Sequence, residues 1–456
     1  MTVHDAWRMD IASLGAAYAR GVHDPVSIVQ ALMADIAADA RGIHAFCHLD
    51  ADAALAQARA ASHRWQQGRA LGPLDGVPVS IKDLIAVEGW PTRRGSLSGA
   101  DDAPAAQDAP LVAHLRAAGA VLFGKTTTTE FGWCIESSNP HSGTTRNPHD
   151  LSRSAGGSSS GAAAQVAAGW GPLAIGSDAG GSIRIPASYC GVVGFKPSYG
   201  AVPAAPQSAF AEFAHFGPLT RSVADCATAM AVLGQPDARD PASLYPRTPP
   251  PRPARLRIGW QASSSATKPW QPEIATAFQA LLDRLASDGH QLVALPGVDM
   301  DCAPAMWTVW QSRVHESFVD WTDARRGLLS PPLQALWAEG AQLAPAQLAR
   351  ARAQLRAWAG QLAAQFCSID LLLTPATPTT APLLPEAPAV TPLNWFADHP
   401  MAYPFNLTQQ PALSLPLGHD AQGLPFNLQI VGRRYADDLV LDFGRVVESL
   451  LAQPGA

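Results

Sequence analysis

The chain has 456 residues, a formal net charge of -6, 15% charged residues and 47% hydrophobic ones. That is enough for one large α/β domain or two to three ordinary ones with a sizeable core. No Lys/Arg cluster points to nucleic acid, and no apolar run reaches the roughly 20 residues of a membrane span. The opening MTVHDAWRMD lacks the apolar centre of a signal peptide, and six scattered cysteines read as reduced thiols in the cytoplasm.

In chain order, the first 70 residues read as helical, with Ile11, Leu14 and Tyr18, then Ile28, Leu32 and Ile36, at helical spacing. In the stretch 72–89, Val77, Val79 and Ile81 alternate with Pro78, Ser80 and Lys82, which predicts a strand. Lys82 then shares a face with Ser80, and Asp83 points the other way. Residues 109–118 read as a helix stopped at Gly119, and 121–123 as a strand, a βαβ-like alternation. Residues 131–148 are rich in Ser, Asn, Pro and Gly and read as a loop.

The stretch 153–196 reads RSAGGSSSGAAAQVAAGWGPLAIGSDAGGSIRIPASYCGVVGFK. Two glycine–serine knots flank an apolar, alanine-rich segment. Linkers do not alternate with such runs, so tight turns in a packed core are expected. Residues 162–168 read as a helix, 173–175 as a strand, and Ser182 as the opening of a short helix. A helix follows within 217–233, with Asp225 on its polar side, and 236–253 reads as a surface connector.

Beyond it, 256–259 reads as a strand and 273–285 as an amphipathic helix with Ile274, Phe278, Leu281 and Leu285 inward. Residues 305–356 are helical and Trp-rich, 371–373 and 413–415 are buried strands, and 438–451 is a closing helix. The proline-rich 375–404 reads as a loop near a pocket.

A serine nucleophile needs a base and an oxyanion hole. Residues 157–161 formally match the G-x-S-x-G elbow, with Ser159 as nucleophile and a histidine such as His399 or His419 as base. That elbow follows a buried strand, and the preceding RNPHDLSRSAG is too polar for one. Lysine is the other base. Burial would push the Lys82 amine below its free value of about 10.4 and leave it neutral. From Lys82 alone, a strand-end lysine reaching solvent is the better reading. His44, Cys47 and His48 in HAFCH could share a helical face, but no second pair stands at zinc spacing, so surface histidines are expected there. GxxxxGK[ST] is missing, and no metal, ATP or other cofactor is expected.

GPLDGVPVSIKD, the R-N-P and GGSS turn and GSDAGGSIRIPASYCGVVGFKPSYG together resemble the amidase signature family. GPLTRSVAD, TPATP and NLTQQPALSLPLG with GLPFNLQIVG extend the likeness over most of the chain, weakly over 256–362. The resemblance implies a single α/β domain with a mixed sheet core flanked by helices, a signature core at 60–235 and a variable helical region at 255–400. It implies a Ser, cis-Ser, Lys triad on Ser182, Ser158 and Lys82. Ser182 would attack the carbonyl, and Ser158 would pass its proton to neutral Lys82 and later return it to the leaving amine. The N–H groups of Ala179, Gly180, Gly181 and Ser182 would form the oxyanion hole, aided by the dipole of the helix that Ser182 opens. Ser159, Asp178 and Arg184 take supporting roles, the last two pairing with each other, and Cys190 is packed. Ser160 stands where the family usually has glycine, which stiffens the turn.

The pocket is expected from 133–139 and 207–216, with Trp133, Ile135, Phe210 and Phe216 binding substrate. Phe213, Trp307, Trp310 and Trp395 are further candidates, and any one aromatic could equally be core. The expected substrate is a small amide with an apolar or aromatic group, with anilides, esters and carbamates open to the same acyl-enzyme chemistry. The expected protein is a stand-alone monomer or homodimer in the cytoplasm. The alternatives are an amidotransferase-type subunit that works with partners, an esterase using Ser159, and a non-catalytic binding protein.

Overall fold

The computed structural model describes residues 6–248, 253, 255–261, 269–295, 302–385 and 395–453. Parts of two expected loops, 249–252 and 386–394, lie outside the described residues.

The backbone of the domain is one sheet. Its strands are β1 (Phe46–Leu49), β2 (Pro78–Lys82), β3 (Val121–Thr126), β4 (Leu173–Asp178), β5 (Val193–Lys196) and β6 (His215–Thr220). They continue with β7 (Arg257–Gln261), β8 (Gln291–Leu295), β9 (Leu371–Pro375), β10 (Ala412–His419) and β11 (Pro425–Gly432). The spatial order is β1-β3-β2-β4-β6-β5-β10-β11-β9-β7-β8. The sheet is mixed: β3, β2 and β4 run parallel, as do β9, β7 and β8, and antiparallel pairs join these blocks. The late region therefore supplies β7, β8 and β9 to the same sheet as well as helices.

The alternation read in β2 sorts its side chains onto two faces. Val79 and Ile81 join Leu173 and Ile175 in a cluster with Leu111, Val112 and Leu115 of α4 and with Ala229 and Leu233 of α7. Here the helices are α1 (Ile11–Ala19), α2 (Pro25–Ala37), α3 (Ala51–Gln66), α4 (Pro110–Ala117), α5 (Ser160–Ala168), α6 (Arg184–Cys190) and α7 (Val223–Leu233). Ser80 and Lys82 face α5 on the other side, and Ser80 hydrogen-bonds Gln165 of that helix. Alanines let α5 lie close: a Cβ on its Gly161 would stand 2.1 Å from the Ala45 carbonyl oxygen. The later helices are α8 (Pro272–Ser287), α9 (Ala303–Phe318), α10 (Pro331–Ala341), α11 (Pro345–Gln365) and α12 (Asp437–Leu451). On α8 the four expected residues are the buried ones, with Leu282 beside them.

Four readings change. The first 70 residues are not all helical, because β1 stands between α2 and α3. His44, Cys47 and His48 therefore share no helical face; His48 lies edge-on to Trp90, ring centroids 5.2 Å apart. Asp225 is buried rather than on a polar face, and its Oδ1 accepts the Ile11 N–H at 2.9 Å, docking α1 on α7. The 131–148 loop contains short pairings, Ser138–Asn139 with Gly143–Thr144 and Arg146–Asn147 with Asp150–Ser154. Strands β5, β6, β8 and β11 had no sequence expectation.

Candidate active site

β2 and β4 run parallel and end side by side, at Lys82 and Asp178. The carboxyl ends of parallel strands are where α/β sheets gather ligands. The two glycine–serine turns meet there. The Ser159 N–H donates to the Ser182 carbonyl oxygen at 3.1 Å and binds one turn to the other. The Gly157–Ser158 peptide is cis. A Cβ on Gly157 would lie 2.5 Å from the Glu136 carbonyl oxygen, so only glycine fits where the 135–136 backbone crosses the turn.

Lys82 is fully buried. Its Nζ lies 2.8 Å from Ser158 Oγ, 2.9 Å from Ser159 Oγ, 3.0 Å from Ser177 Oγ and 3.3 Å from the Ser177 carbonyl oxygen. Burial pushes its pKa down to about 7, against the pull of the Asp178 charge. The amine is thus poised to shed and retake a proton near neutrality. Ser158, Ser159 and Ser182 are all buried. Among the described residues no hydrogen bond joins the Ser158 and Ser182 hydroxyls. Such bonds often tighten only around substrate.

Asp178 and Arg184 pair, as expected, at 2.9 and 3.0 Å. Burial raises the Asp178 pKa, but the Arg184 guanidinium outweighs it and holds the carboxyl well below the usual range. The carboxylate also accepts the N–H groups of Gly181 at 2.7 Å and Ile183 at 3.1 Å, fixing the loop that carries Ser182. This corrects the expected oxyanion hole. The Gly181 N–H is committed to Asp178, whereas those of Ala179, Gly180 and Ser182 have no partner among the described residues. Gly181 has φ 129°, and a Cβ there would meet Ala402 and Ile185 at 2.7 Å. The regular part of α6 starts at Arg184, and Ser182 lies in the turn that leads into it, where the Gly181 carbonyl oxygen accepts the Ile185 N–H at 2.8 Å.

Ser159 accepts from Lys82 and donates to the Ser177 carbonyl oxygen at 3.2 Å. The strand before its elbow-like motif is the partly exposed Asp150–Ser154 ribbon, and His399 pairs with the Tyr189 hydroxyl at 2.9 Å. Ser160 opens α5 with a buried hydroxyl that has no partner among the described residues. Cys190 is packed, and burial pushes its thiol up.

The expected pocket residues divide. Trp133, Phe210, Trp310 and Trp395 cluster with Ala179 of the loop that carries Ser182, and Ile135 packs against them. Phe210 stacks on Trp310 at 3.9 Å, and the Trp310 Nε1–H donates to the Trp133 carbonyl oxygen at 3.0 Å. A Cβ on Gly180 would meet Trp395 at 2.5 Å, so this aromatic wall abuts the loop directly. Phe216 is not part of it; it packs with Ile81, Ile85 and Ile175 instead.

Three residues escaped the sequence reading. Ser177 is a third hydroxyl at the lysine. Asn406 and Gln429 accept from Arg184 at 2.7 Å each, and Asn406 also donates to Asp178 Oδ1 at 2.8 Å. The NLTQQP and NLQIVG segments that hold Asn406 and Gln429 were the only signal.

Comparison with known proteins agrees with this geometry. The amidase family profile matches residues 27–441. The chain is 33% identical to an acylamidase of Rhodococcus erythropolis, over 97% of this chain and 95% of that one. It is 34% identical to a glutamyl-tRNA(Gln) amidotransferase subunit of Chloroflexus aurantiacus, over 97% and 96%. Among solved structures it resembles 6-aminohexanoate cyclic dimer hydrolase at TM-score 0.88 and 28% identity, over 98% of both chains. A bacterial aryl acylamidase matches at TM-score 0.87 and 27% identity, over 97% and 96%. Matched by the family profile over residues 27–441 and by its relatives along nearly its whole length, the chain belongs to the amidase signature family of amide hydrolases.

Proposed function

We propose that this protein hydrolyses small amides carrying an apolar or aromatic acyl group, through a seryl acyl-enzyme. Ser182 Oγ attacks the carbonyl carbon while its proton passes to Ser158, whose own proton goes to neutral Lys82. The N–H groups of Ala179, Gly180 and Ser182 face the developing oxyanion. On collapse the C–N bond breaks, and the proton returns from Lys82 through Ser158 to the nitrogen. Water then releases the acid by the same relay.

The observation that carries this is the 2.8 Å contact between the buried Lys82 amine and Ser158 Oγ. The aromatic wall against Ala179 and Gly180 supports an apolar acyl group. A fluorophosphonate should label Ser182, and Ser182→Ala and Lys82→Ala should each abolish hydrolysis of an aromatic amide. Labelling of Ser159 instead, or an active Ser182→Ala, rejects the assignment.

A second reading, in which the chain works within an amidotransferase complex, draws on the 34% identity to the Chloroflexus aurantiacus protein. Turnover of glutamine but not of aromatic amides by the purified chain would favour it.

A further inference from the structure

Phe216 lines a second cavity, of about 130 Å³, beyond the carboxyl ends of β2 and β4. Leu84, Ala86, Leu111 and Ala204 supply its apolar lining, and Thr92, Arg94 and Asp102 its polar part. Its volume is close to the roughly 150 Å³ of an apolar cavity that takes up benzene. Leu84 connects it to the chemistry. A Cβ on Gly132 would stand 2.8 Å from Leu84 Cδ1 and 3.3 Å from Ser158 Oγ, so the cavity wall and the relay hydroxyl border one small space.

We propose that this cavity receives the amine half of the substrate, an uncharged apolar group about the size of one aromatic ring carried on the scissile nitrogen. The assignment rests on the function proposed above, in which Ser158 returns a proton to that nitrogen. In the tetrahedral intermediate the oxyanion faces the 179–182 loop and the nitrogen faces Ser158. The substituents on carbon and nitrogen must therefore diverge. The aromatic wall is built onto the oxyanion loop and takes the acyl side. The Leu84 cavity borders Ser158 and takes the other.

Charge at the cavity narrows the choice. Arg94 and Asp102 line it and pair at 3.0 Å, and Arg325 holds the other Asp102 oxygen at 2.8 Å. Two guanidiniums on one carboxylate leave a net positive charge, which disfavours an amine bearing a second ammonium.

The test holds one aromatic acid constant and varies the amine among methyl, benzyl and naphthylmethyl amides. Their amine leaving groups are all alkylamines. The benzylamide should exceed the methylamide in kcat/KM by about tenfold, as expected for burying a ring, and the naphthylmethyl amide should fall below the benzylamide. Ala204→Leu and Ala86→Leu each fill the cavity and should lower the benzyl-to-methyl ratio about fivefold. A thermal melt identifies a variant that has not folded, and the other then decides. A ratio near one in the parent enzyme, or an unchanged ratio in both folded variants, overturns the assignment. So does a change confined to discrimination among acyl groups on one fixed amine. If no amide is hydrolysed at all, the function itself fails, a result distinct from hydrolysis without amine selectivity.

Discussion

The Asp178 carboxylate and the Arg184 guanidinium, both buried, grip one another through two hydrogen bonds while the carboxylate's oxygens also hold the backbone of Gly181 and Ile183. The pair is thus the anchor of the nucleophile's loop. Arg184→Ala strands a buried carboxylate and should cost about 3–5 kcal/mol in denaturant unfolding. Arg184→Lys lacks the planar fork and should recover little of it. A loss under about 1 kcal/mol for the alanine variant would show that the loop is anchored otherwise.

In the proposed relay Lys82 sets the pH dependence of activity. Its amine titrates at about 7, lowered by burial, so kcat/KM should fall as pH drops through that value and the base becomes protonated. The same shift costs stability. Between about 7 and its ordinary value the unfolded chain binds a proton that the folded chain does not, so folding stability rises with pH across that window. Lys82→Met should therefore be inactive yet more stable at pH 7 by on the order of 1 kcal/mol, with a smaller gain at pH 10. Calorimetry at both pH values checks this, and equal gains would contradict it.

Ser177 acts on the lysine. Its hydroxyl accepts from Nζ at 3.0 Å, which favours the charged amine. Ser177→Ala should move the acid limb of the pH–rate profile to lower pH by roughly half a unit and cut kcat about tenfold. Ser177→Thr should restore the limb. An alanine variant with reduced kcat and an unmoved limb would leave Ser177 a packing role only.

Asp225 makes a prediction of opposite sign. Burial raises its carboxyl to about 6, with Asp10 adding to the effect and the Ile11 N–H opposing it. A carboxyl raised in the folded state contributes stability that is present below the ordinary value and lost as pH climbs through about 6. Asp225→Asn keeps an acceptor for Ile11 without the charge. It should match or exceed the parent at pH 7.5 by roughly 1 kcal/mol and lose that advantage near pH 4. A parent more stable at pH 7.5 would falsify this account.

The sequence made parts of this molecule legible because local chemistry repeats locally. Val79, Ile81 and Lys82 announced a two-faced strand, and the glycine–serine knots announced turns that bring serines together. Amphipathic α8 was legible for the same reason, its inward residues standing at helical spacing. Four-residue β1 was not, since FCHL has no clear alternation and sits between two helices. Asp225 was misplaced because a carboxylate on a helix usually faces water, and only the arrival of α1 buries it. The commitment of the Gly181 N–H depends on the angle at which Asp178 enters the loop. Asn406 and Gln429 lie more than 200 residues from Arg184 and met no pattern that spacing can express.

That distance governs when activity can appear during synthesis. Lys82, Ser158 and Ser182 all emerge before residue 200, but the guanidinium beneath their loop is held by Asn406 and Gln429, and β5, already paired with β6, gains its second neighbour only with β10. The ribosome must therefore deliver the final tenth of the polypeptide before the nucleophile is locked in place. A nascent or truncated chain ending near residue 400 would carry the lysine and both serines of the proposed relay and should be catalytically silent.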